Sequence, residues 1–262
     1  MKEEVVKRGD PVVVLVMSAR ASRHYYFRIY EDKVYMTSAG IFRGTDIIGM
    51  EYGSKLELAE GYAYILKPTL RELLEHFMER ATQVVYPKDS SLMSFEAGLK
   101  PGMRVLEGGV GSGFLTVELA RIVCPGGKVY AFDIKPENIA IASKNLELVG
   151  LRDCVELRLG DVKKLNELVG LDAAFLDIPD PWEALEPLWK ALKLSAPLVI
   201  FVPTMNQLIK LSEAIECTPG WVLQGVKEVS ERQIEVTRES IRPSSFSPFT
   251  GYIILLRKVV KT

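Results

Sequence analysis

The 262-residue sequence predicts an α/β protein in which a small β-rich domain precedes a larger domain built on a mostly parallel sheet. Two patterns favour this fold class. Short β-branched and aromatic runs fill residues 1–66, and from about residue 100 apolar strands alternate with helical segments. A third observation is the glycine-rich segment VLEGGVGSGFLT at 105–116, which predicts a strand-to-helix turn where the alternating region begins.

The first part of the chain, residues 1–66, is predicted to form a small β-rich domain. Its strand-like runs are PVVVLVMS, HYYFRIY, KVYMTS, GIFRGTDIIG and KLELAEGYAYIL, separated by Gly, Asp and Ser. Residues 67–99 are predicted to connect the two domains. Within them, TLRELLEHFMER has apolar residues at helical spacing and predicts a linker helix, on whose surface His76 is expected to lie.

Residues 100–262 are predicted to form one domain of alternating strands and helices. The strand-like runs are MRVLEG, GKVYAFDI, CVELRLGDV, LDAAFLDI and APLVIFVP, and the helical patterns are FLTVELARIV, PENIAIASKNLELVG, PWEALEPLWKALK and MNQLIKLSEAIE. Such alternation implies right-handed βαβ units and a sheet covered on both faces. The tail, WVLQGVKEVSERQIEVTR and GYIILLRKVV, has no intervening helical pattern and predicts an antiparallel hairpin at one edge of the sheet.

Composition excludes several classes of protein. Lys and Arg total 33 against 34 Asp and Glu, which argues against a protein that simply coats a polyanion. No apolar run reaches the roughly 18–20 residues of a membrane span, and the start MKEEVVKRGDP is too charged for a signal peptide, so a cytoplasmic protein is expected. Cys124, Cys154 and Cys217 are odd in number and widely spaced, and are expected to be reduced. With two histidines in the chain, no metal site is expected.

The glycine-rich turn predicts a ligand site at the carboxyl ends of the parallel strands. Gly109, Gly111 and Gly113 form G-x-G-x-G, whereas the dinucleotide fingerprint is G-x-G-x-x-G. Glu107 precedes the loop, and a carboxylate there suits a cationic ligand better than a pyrophosphate. The alternative is a glycine turn that serves only to pack the strand against the helix.

Acidic residues end the next three predicted strands. Asp133 stands where an acid can bind the two hydroxyls of a ribose, or cap the helix that follows. Asp161 ends the third strand, where a carboxylate can accept from an adenine amino group. Asp177 ends the fourth strand, within DIPDPW.

This combination resembles the class I S-adenosylmethionine-dependent methyltransferases, whose Rossmann-like seven-stranded sheet has an antiparallel last strand. Two further segments, QVVYPKDSSLMSFEAGLKPGMRVLEGGVGSG and FLDIPDPWEAL, are similar to the tRNA (adenine-N1)-methyltransferase family, and so is RPSSFSPFTGYIILL near the end. The resemblance spans nearly the whole chain. It implies methylation of adenosine 58 in the T loop, S-adenosyl-L-methionine as cofactor, tRNA as partner and a homotetramer. Whether adenosine 57 is also modified stays open.

The resemblance also implies roles for individual residues. Val85 and Tyr86 would lie beside the cofactor, and Ser112, Gly113 and Phe114 would present backbone amides to its carboxylate. Asp133 and Asn138 would contact the ribose, and Asp161 and Val162 the adenine. Asp177 would face both the cofactor and the target base, and Glu107, Gly109 and Gly111 complete the predicted cofactor site. Two positions depart from the family pattern. Asp133 stands where many members have Glu, and Gly108 where Ala is common, a change expected to matter little.

Asp177 is the predicted catalytic residue. Adenine N1 attacks the methyl group of the sulfonium directly, which leaves positive charge on the purine, and the base must leave its stack to be reached. A carboxylate that accepts from the N6 amino group would orient the base and stabilise that charge. Helix capping is the alternative role, for which Asp180 is the closer candidate because Pro181 would be the first helical residue.

Several residues are assigned to tRNA, each with a structural alternative. Trp182 and Tyr86 would stack on a base, or pack as core aromatics. Arg232, Arg238 and Arg242 would contact phosphates, or form a solvated strand face.

Three other functions are alternatives to this prediction: two other kinds of methyltransferase and a non-catalytic tRNA-binding subunit. Protein isoaspartate methyltransferases have a similar glycine loop, but the Asp-x-Pro-x-Pro-Trp motif argues against that substrate. DNA adenine-N6 enzymes have a related acidic-Pro-Pro-aromatic motif, without the extra residue found here. The intact loop and Asp177 argue against a non-catalytic tRNA-binding subunit.

Overall fold

The computed structural model describes residues 4–18, 22–236, 240–246 and 249–261. These residues form two compact units, of which the first extends to Met78 and the second begins at Glu79. None of the described helices is long and apolar enough to cross a membrane. Within the same described ranges, no group of three or more His, Cys, Asp or Glu residues is placed to hold a metal ion.

The first unit is a four-stranded antiparallel sheet with a short hairpin. Its elements are β1 (Pro11–Met17), β2 (Ser22–Arg28), β3 (Val34–Thr37), β4 (Gly40–Arg43), α1 (Gly44–Ile47), β5 (Lys55–Leu58) and β6 (Gly61–Leu66). The sheet order is β2-β1-β6-β5, and β3 pairs with β4. Val14 of β1 lies opposite Tyr25 and Ile65. The buried side chains of Val14 and Ile65 form the core with Phe42 and Ile47.

One predicted strand of this unit ends early. The run GIFRGTDIIG was expected to be strand throughout, but only Gly40–Arg43 is, and α1 follows. The carboxylate of Asp46 accepts from the Arg43 amide at 2.7 Å and so favours a helical turn. A Cβ on Gly44 would lie 2.0 Å from the Tyr30 carbonyl oxygen, so the chain passes Tyr30 where no side chain fits.

The predicted linker helix is present but short. It consists of α2 (Leu70–Glu72) continued by a π-helical turn at Leu73–Phe77. Thr69 begins it with a capping box, in which Thr69 and Glu72 bond each other's backbone amides. His76 is exposed, as expected, and its ring stacks on Tyr26 at 3.5 Å between centroids.

The second unit is a seven-stranded sheet with helices, which confirms the predicted fold class. Its strands are β7 (Arg104–Gly108), β8 (Lys128–Asp133), β9 (Val155–Leu159), β10 (Ala173–Leu176), β11 (Pro197–Val202), β12 (Trp221–Lys227) and β15 (Tyr252–Lys258), in the order β12-β15-β11-β10-β7-β8-β9. Strands β7 to β11 are parallel, and β15 is antiparallel to both of its neighbours. Every residue of β10 and β11 is buried, so both faces of the sheet are covered.

Four helices of this unit lie within or close to the predicted segments: α4 (Phe114–Val123), α5 (Pro136–Leu148), α6 (Leu185–Ala191) and α7 (Met205–Cys217). A further helix, α3 (Pro87–Glu96), was not predicted as a separate element. Three 3-10 turns precede or join them, at Arg152–Cys154, Val162–Lys164 and Pro181–Ala184. Leu188 of α6 and Leu211 of α7 pack with Leu106, Leu176 and Ile200 of the sheet in one buried cluster.

The tail contains two antiparallel pairs where one was expected. β15 lies between β11 and the edge strand β12, as the predicted edge hairpin requires. The segment WVLQGVKEVSERQIEVTR, however, breaks after Lys227. Its second half is β13 (Arg232–Val236), which pairs with β14 (Ile241–Phe246) in a separate two-stranded sheet.

The expectation of three reduced cysteines is wrong. Cys124 and Cys154 form a disulfide with their Cα atoms 6.3 Å apart. Cys124 follows α4, and Cys154 directly precedes β9, so the topology brings both to the edge of the sheet where the parallel strands begin. Their sequence separation of 30 residues gives no sign of this proximity. Cys217 is a free, exposed thiol at the end of α7.

Candidate active site

A cavity of about 470 Å³ lies at the carboxyl ends of the parallel strands. This is the edge where open α/β sheets bind ligands. Its wall combines apolar side chains with a few polar groups from several strand ends. Residues 82–85, 109–112, 114–115, 132–135, 138, 160–163, 177–180, 203 and 207 form the wall. Most of the predicted cofactor residues therefore meet at one site.

The glycine turn permits two close approaches of the backbone. Gly109 has φ +91°, and a Cβ there would lie 2.1 Å from the Asp177 carbonyl oxygen. Gly113 has φ +83° and begins α4, where a Cβ would lie 3.2 Å from the Ala142 Cβ. The turn therefore packs elements together and also leaves its backbone open to the cavity. The two interpretations of the glycine motif are compatible.

Ser112 fixes the turn from its outer side. Its hydroxyl accepts from the Ala81 amide at 2.9 Å, and its carbonyl accepts from the Asn145 side chain at 2.8 Å. The backbone amides at the start of α4 lack partners within the helix, which makes this end of the cavity suitable for a carboxylate.

Asp133 is buried in the cavity wall at the end of β8. Its Oδ2 accepts from the Gly111 amide and its Oδ1 from the Lys135 amide, each at 2.9 Å. The Asn138 side chain donates to both oxygens at 3.1 Å. Asp133 does not cap α5, because Lys135 occupies the N-cap position. These three donor nitrogens keep the Asp133 carboxylate oriented at the cavity wall.

Asp161 and Val162 line the opposite part of the wall. The Asp161 carboxylate accepts from the Lys163 amide at 3.0 Å and so caps a 3-10 turn. Val162 also lies close to Gly108. A Cβ on Gly108 would lie 2.8 Å from Val162 Cγ1 and 2.7 Å from Leu176 Cδ2. An alanine at this position would require these side chains to shift, and the expectation that the glycine matters little stays a prediction.

Glu107 lies behind the glycine turn and outside the cavity wall. Its side chain is fully buried, and neither carboxylate oxygen has a hydrogen-bond partner. Burial is the main reason that the pKa of Glu107 is raised to about 8; the neighbouring Thr116 hydroxyl opposes the rise, and the carboxylates of Asp177 and Asp133 add to it. Glu107 is therefore mostly protonated at neutral pH.

Asp177 faces the cavity at the end of β10. Its amide donates to the Gly108 carbonyl at 2.9 Å, whereas no described residue hydrogen-bonds its carboxylate. Burial raises the pKa of Asp177 to about 7. The residue at the N-cap of the following 3-10 turn is Asp180, and Pro181 is the first residue of that turn, as predicted.

The predicted tRNA-binding residues that the structure describes are not part of this wall. Tyr86 is the N-cap of α3. Trp182 packs against the buried cluster of the sheet, and Lys210 Nζ lies 4.0 Å from the centre of its ring. Arg232 and Arg242 lie on the β13–β14 hairpin, where Arg242 pairs with Glu235 at 3.0 Å. Arg238 lies outside the described residues.

Two polar features of the structure were not predicted from the sequence, a glutamine in the cavity wall and a buried charged cluster. Gln207, in the first turn of α7, is part of the cavity wall, and the position of α7 after β11 is the signal that identifies it. The second group is a buried cluster in which Lys88 Nζ donates to Asp89, to the Val229 carbonyl and to Thr250 at 2.6–2.9 Å. No local pattern indicates that cluster, because Thr250 lies 162 residues from Lys88.

Comparisons with known proteins identify the family of the chain. Residues 61–248 match the family model described as tRNA methyltransferase complex GCD14 subunit. The tRNA (adenine(57)-N(1)/adenine(58)-N(1))-methyltransferase TrmI of Methanocaldococcus jannaschii is 31% identical, over 93% of this chain and 94% of that protein.

Two solved structures share the fold over almost the entire chain. The tRNA (m1A58) methyltransferase TrmI of Aquifex aeolicus is 30% identical with a TM-score of 0.86, covering 99% of this chain and 100% of its own. A SAM-dependent O-methyltransferase of Thermotoga maritima is 30% identical with a TM-score of 0.89, covering 98% and 96%. The matched family model and these relatives lead to one conclusion: the chain belongs to the tRNA methyltransferase complex GCD14 subunit family.

Proposed function

We propose that this protein transfers a methyl group from S-adenosylmethionine to N1 of adenine 58 in the T loop of tRNA. The observation on which this rests is the Asp177 carboxylate, which faces the cavity without a hydrogen-bond partner from the described residues. Relatives named as tRNA (adenine-N1)-methyltransferases support the substrate. The alternatives of a protein isoaspartate enzyme, a DNA adenine enzyme or a non-catalytic subunit find no support among these named relatives.

The cavity fits the proposed cofactor. It offers a buried carboxylate at Asp133, a second carboxylate at Asp161, apolar walls and the start of α4, where Ser112 and Phe114 line the cavity and the Gly113 amide donates to the Val110 carbonyl at 2.8 Å. We assign the ribose to Asp133 and Asn138, the adenine to Asp161 and Val162, and the carboxylate to the backbone of Ser112, Gly113 and Phe114. Val85 contributes to the apolar wall. When bound, S-adenosylmethionine supplies an electrophilic methyl group on a positively charged sulfur.

Glu107 has an indirect role in this proposal. Its carboxyl group is buried behind the turn and is mostly neutral at pH 7 while the site holds no cation. A positive charge in the cavity favours the ionised form of Glu107. We therefore place Glu107 as an electrostatic support for a cationic ligand, without direct contact.

Asp177 orients and stabilises the target base. Its carboxylate accepts a hydrogen bond from the N6 amino group, which directs the N1 lone pair towards the methyl group. Bond formation at N1 leaves a positive charge on the purine, and the adjacent carboxylate lowers the energy of that charge. Because the cavity is partly enclosed, the base reaches it only after it leaves the T-loop stack.

We propose that tRNA is held by surfaces outside the cavity. Arg232 and Arg242 of the β13–β14 hairpin are candidates for phosphate contacts, together with Arg238 and the domain of residues 1–66. Residues 67–99 would connect that domain to the cofactor-binding domain of residues 100–262. Tyr86 and Trp182 remain candidates for base stacking only if their present packing changes on binding. With this substrate we place the enzyme in the cytoplasm.

We also propose that the protein is a homotetramer. The chain has a formal net charge of −1, so one subunit offers little net attraction to a polyanion. The hairpin and the edge strand expose apolar side chains, among them Val236, Ile241 and Val222. Such surfaces on soluble enzymes mark contacts between proteins.

The decisive experiment uses unmodified tRNA transcripts and isotope-labelled S-adenosylmethionine. Nucleoside mass spectrometry should show 1-methyladenosine, and replacing adenine 58 by uracil in the transcript should abolish it. A transcript with adenine 57 replaced separates modification at 57 from modification at 58. Methylation of a ribose oxygen, of another base or of no nucleoside would contradict the proposal.

A further inference from the structure

Gln207 lies in the cavity wall at the start of α7 and is hydrogen-bonded at both ends of its side-chain amide. Thr204 caps α7, where its hydroxyl accepts from the Gln207 amide at 3.3 Å. The same hydroxyl donates to Gln207 Oε1 at 2.7 Å. The side-chain nitrogen of Gln207 therefore points away from Thr204, and it donates to the Pro179 carbonyl at 3.1 Å.

Pro179 belongs to the loop that begins at Asp177. At its start this loop is fixed by the bond from the Asp177 amide to Gly108 and by the close approach of Gly109. Pro179 has no amide hydrogen, so it cannot donate a backbone bond of its own. The carbonyl of Pro179 is fixed by Gln207, from an element that follows a different strand.

We propose that Gln207 is a positioning residue for methyl transfer, which holds the loop of residues 177–180 so that the Asp177 carboxylate meets the target base in the reactive geometry. The inference rests on the proposed function of Asp177. It assigns no contact between Gln207 and the cofactor. A displacement of about 1 Å in a reacting group can lower a rate by on the order of 100-fold, so loss of one fixed carbonyl is sufficient for a measurable effect.

The test uses Gln207→Met, which keeps the length of the side chain and removes the donor. We expect kcat to fall about 10- to 100-fold, with the KM for tRNA and the Kd for S-adenosylmethionine changed less than about 3-fold. Thr204→Ser keeps the orienting hydroxyl and should retain activity. Asn206→Met is the matched control, because Asn206 is exposed, adjacent in sequence and outside the cavity wall.

A double-variant cycle distinguishes positioning from a general structural role. If Gln207 acts through the Asp177 loop, Gln207→Met should lower kcat by a much smaller factor in the Asp177→Asn background than in the wild type. The inference would be overturned if the two substitutions lowered kcat independently, so that the loss in the double variant equalled the product of the two single losses. A Gln207→Met variant with wild-type kcat, or with strongly weakened cofactor binding, would also overturn it. Absence of 1-methyladenosine with the wild-type enzyme would instead overturn the proposed function.

Discussion

At the scale of single residues, the site depends on carboxyl groups whose surroundings differ. Asp133 is surrounded by donors from Gly111, Lys135 and Asn138, whereas Asp177 and Glu107 have none from the described residues. Burial without donors raises the pKa of both Asp177 and Glu107. Such shifted carboxyl groups beside a cavity are candidates for a functional role, and the proposed roles of Asp177 and Glu107 rest on this.

Replacing Asp177 by Asn should remove most of the turnover and little of the cofactor affinity. The change keeps the shape of the side chain and removes the negative charge that stabilises the methylated base. We expect kcat to fall by about 100-fold or more, with cofactor Kd within several-fold. Single-turnover methylation and cofactor titration measure the two quantities. Asp180→Asn, in the same loop, is the control, and near-normal turnover in Asp177→Asn would exclude its catalytic role.

The rate should also depend on pH through Asp177. Because burial raises the pKa of Asp177 to about 7, the carboxyl is mostly neutral below that pH and ionised above it. If the ionised form is active, kcat/KM for S-adenosylmethionine, which reports the pKa values of the ligand-free enzyme, should rise between pH 6 and 8 and then level off. The Asp177→Asn variant should show no such rise. A wild-type rate independent of pH over this range would contradict the assignment.

Glu107 should make the ligand-free protein less stable as pH rises. Burial raises the pKa of Glu107 to about 8 in the folded protein, whereas the unfolded chain releases the proton near pH 4.5. The folded state therefore binds more protons between these values, and the free energy of unfolding falls as pH increases. Glu107→Gln should reduce the change in the free energy of unfolding between pH 5 and pH 8 by a few kcal/mol. Denaturant unfolding at pH 5 and pH 8 measures it, and equal slopes in both proteins would contradict the expectation.

At the scale of elements, a buried ion pair joins the start of α3 to the base of the β13–β14 hairpin. Lys88 and Asp89 are paired at 2.9 Å with almost no exposed side-chain surface. Val229, before the hairpin, accepts from Lys88, and Thr250, after it, bonds both Lys88 and Asp89. Both ends of the hairpin are therefore tied to the same helix.

Lys88→Met should destabilise the protein strongly. The change leaves the Asp89 carboxylate buried without its cation, which typically costs about 3–5 kcal/mol. The matched control is Lys227→Met, which breaks the more exposed Lys227–Glu96 pair and should cost less than about 1 kcal/mol. Chemical denaturation measures both variants, and hydrogen exchange should show faster opening of residues 228–236 in Lys88→Met. Equal destabilisation by the two changes would refute a structural role for the cluster.

At the scale of the whole molecule, balanced charge and exposed apolar strands are the basis of the proposed tetramer and of its proposed connection to tRNA binding. Val236 and Ile241 face each other across the hairpin and are 70% and 73% exposed. Water contact with such a pair is unfavourable, and burial against another subunit removes it. The same hairpin bears Arg232 and Arg242, so contact between subunits would also gather positive charge.

The oligomer should dissociate when this apolar pair is changed. Light scattering should give four times the 29.3 kDa of one chain for the wild type and a smaller mass for Ile241→Lys. Dissociation should weaken tRNA binding and lower its salt dependence, because fewer phosphate contacts remain. Val169→Lys, at another exposed apolar position, is the control. A monomer with full activity would contradict the link between assembly and function.

Much of the architecture follows from local patterns. The segment FLTVELARIV coincides with α4, and the Pro residues of PENIAIAS and DPWEAL mark the starts of α5 and of a 3-10 turn. Helical and strand periodicities, glycine turns and proline positions depend on a few neighbouring residues, so they can be identified without the fold. The rule that ligands bind at strand ends then predicted Asp133, Asp161 and Asp177 as one site.

Only the tertiary structure decided which distant residues meet. It pairs Cys124 with Cys154, brings Thr250 to Lys88 and places Gln207 on the Pro179 carbonyl. It also separates Glu107 from the cavity wall, although both its sequence neighbours and its residue type suit a ligand contact. These outcomes depend on strand order, register and the side of the sheet to which each helix returns. Such properties come from packing across the entire domain, and no short stretch of sequence contains them.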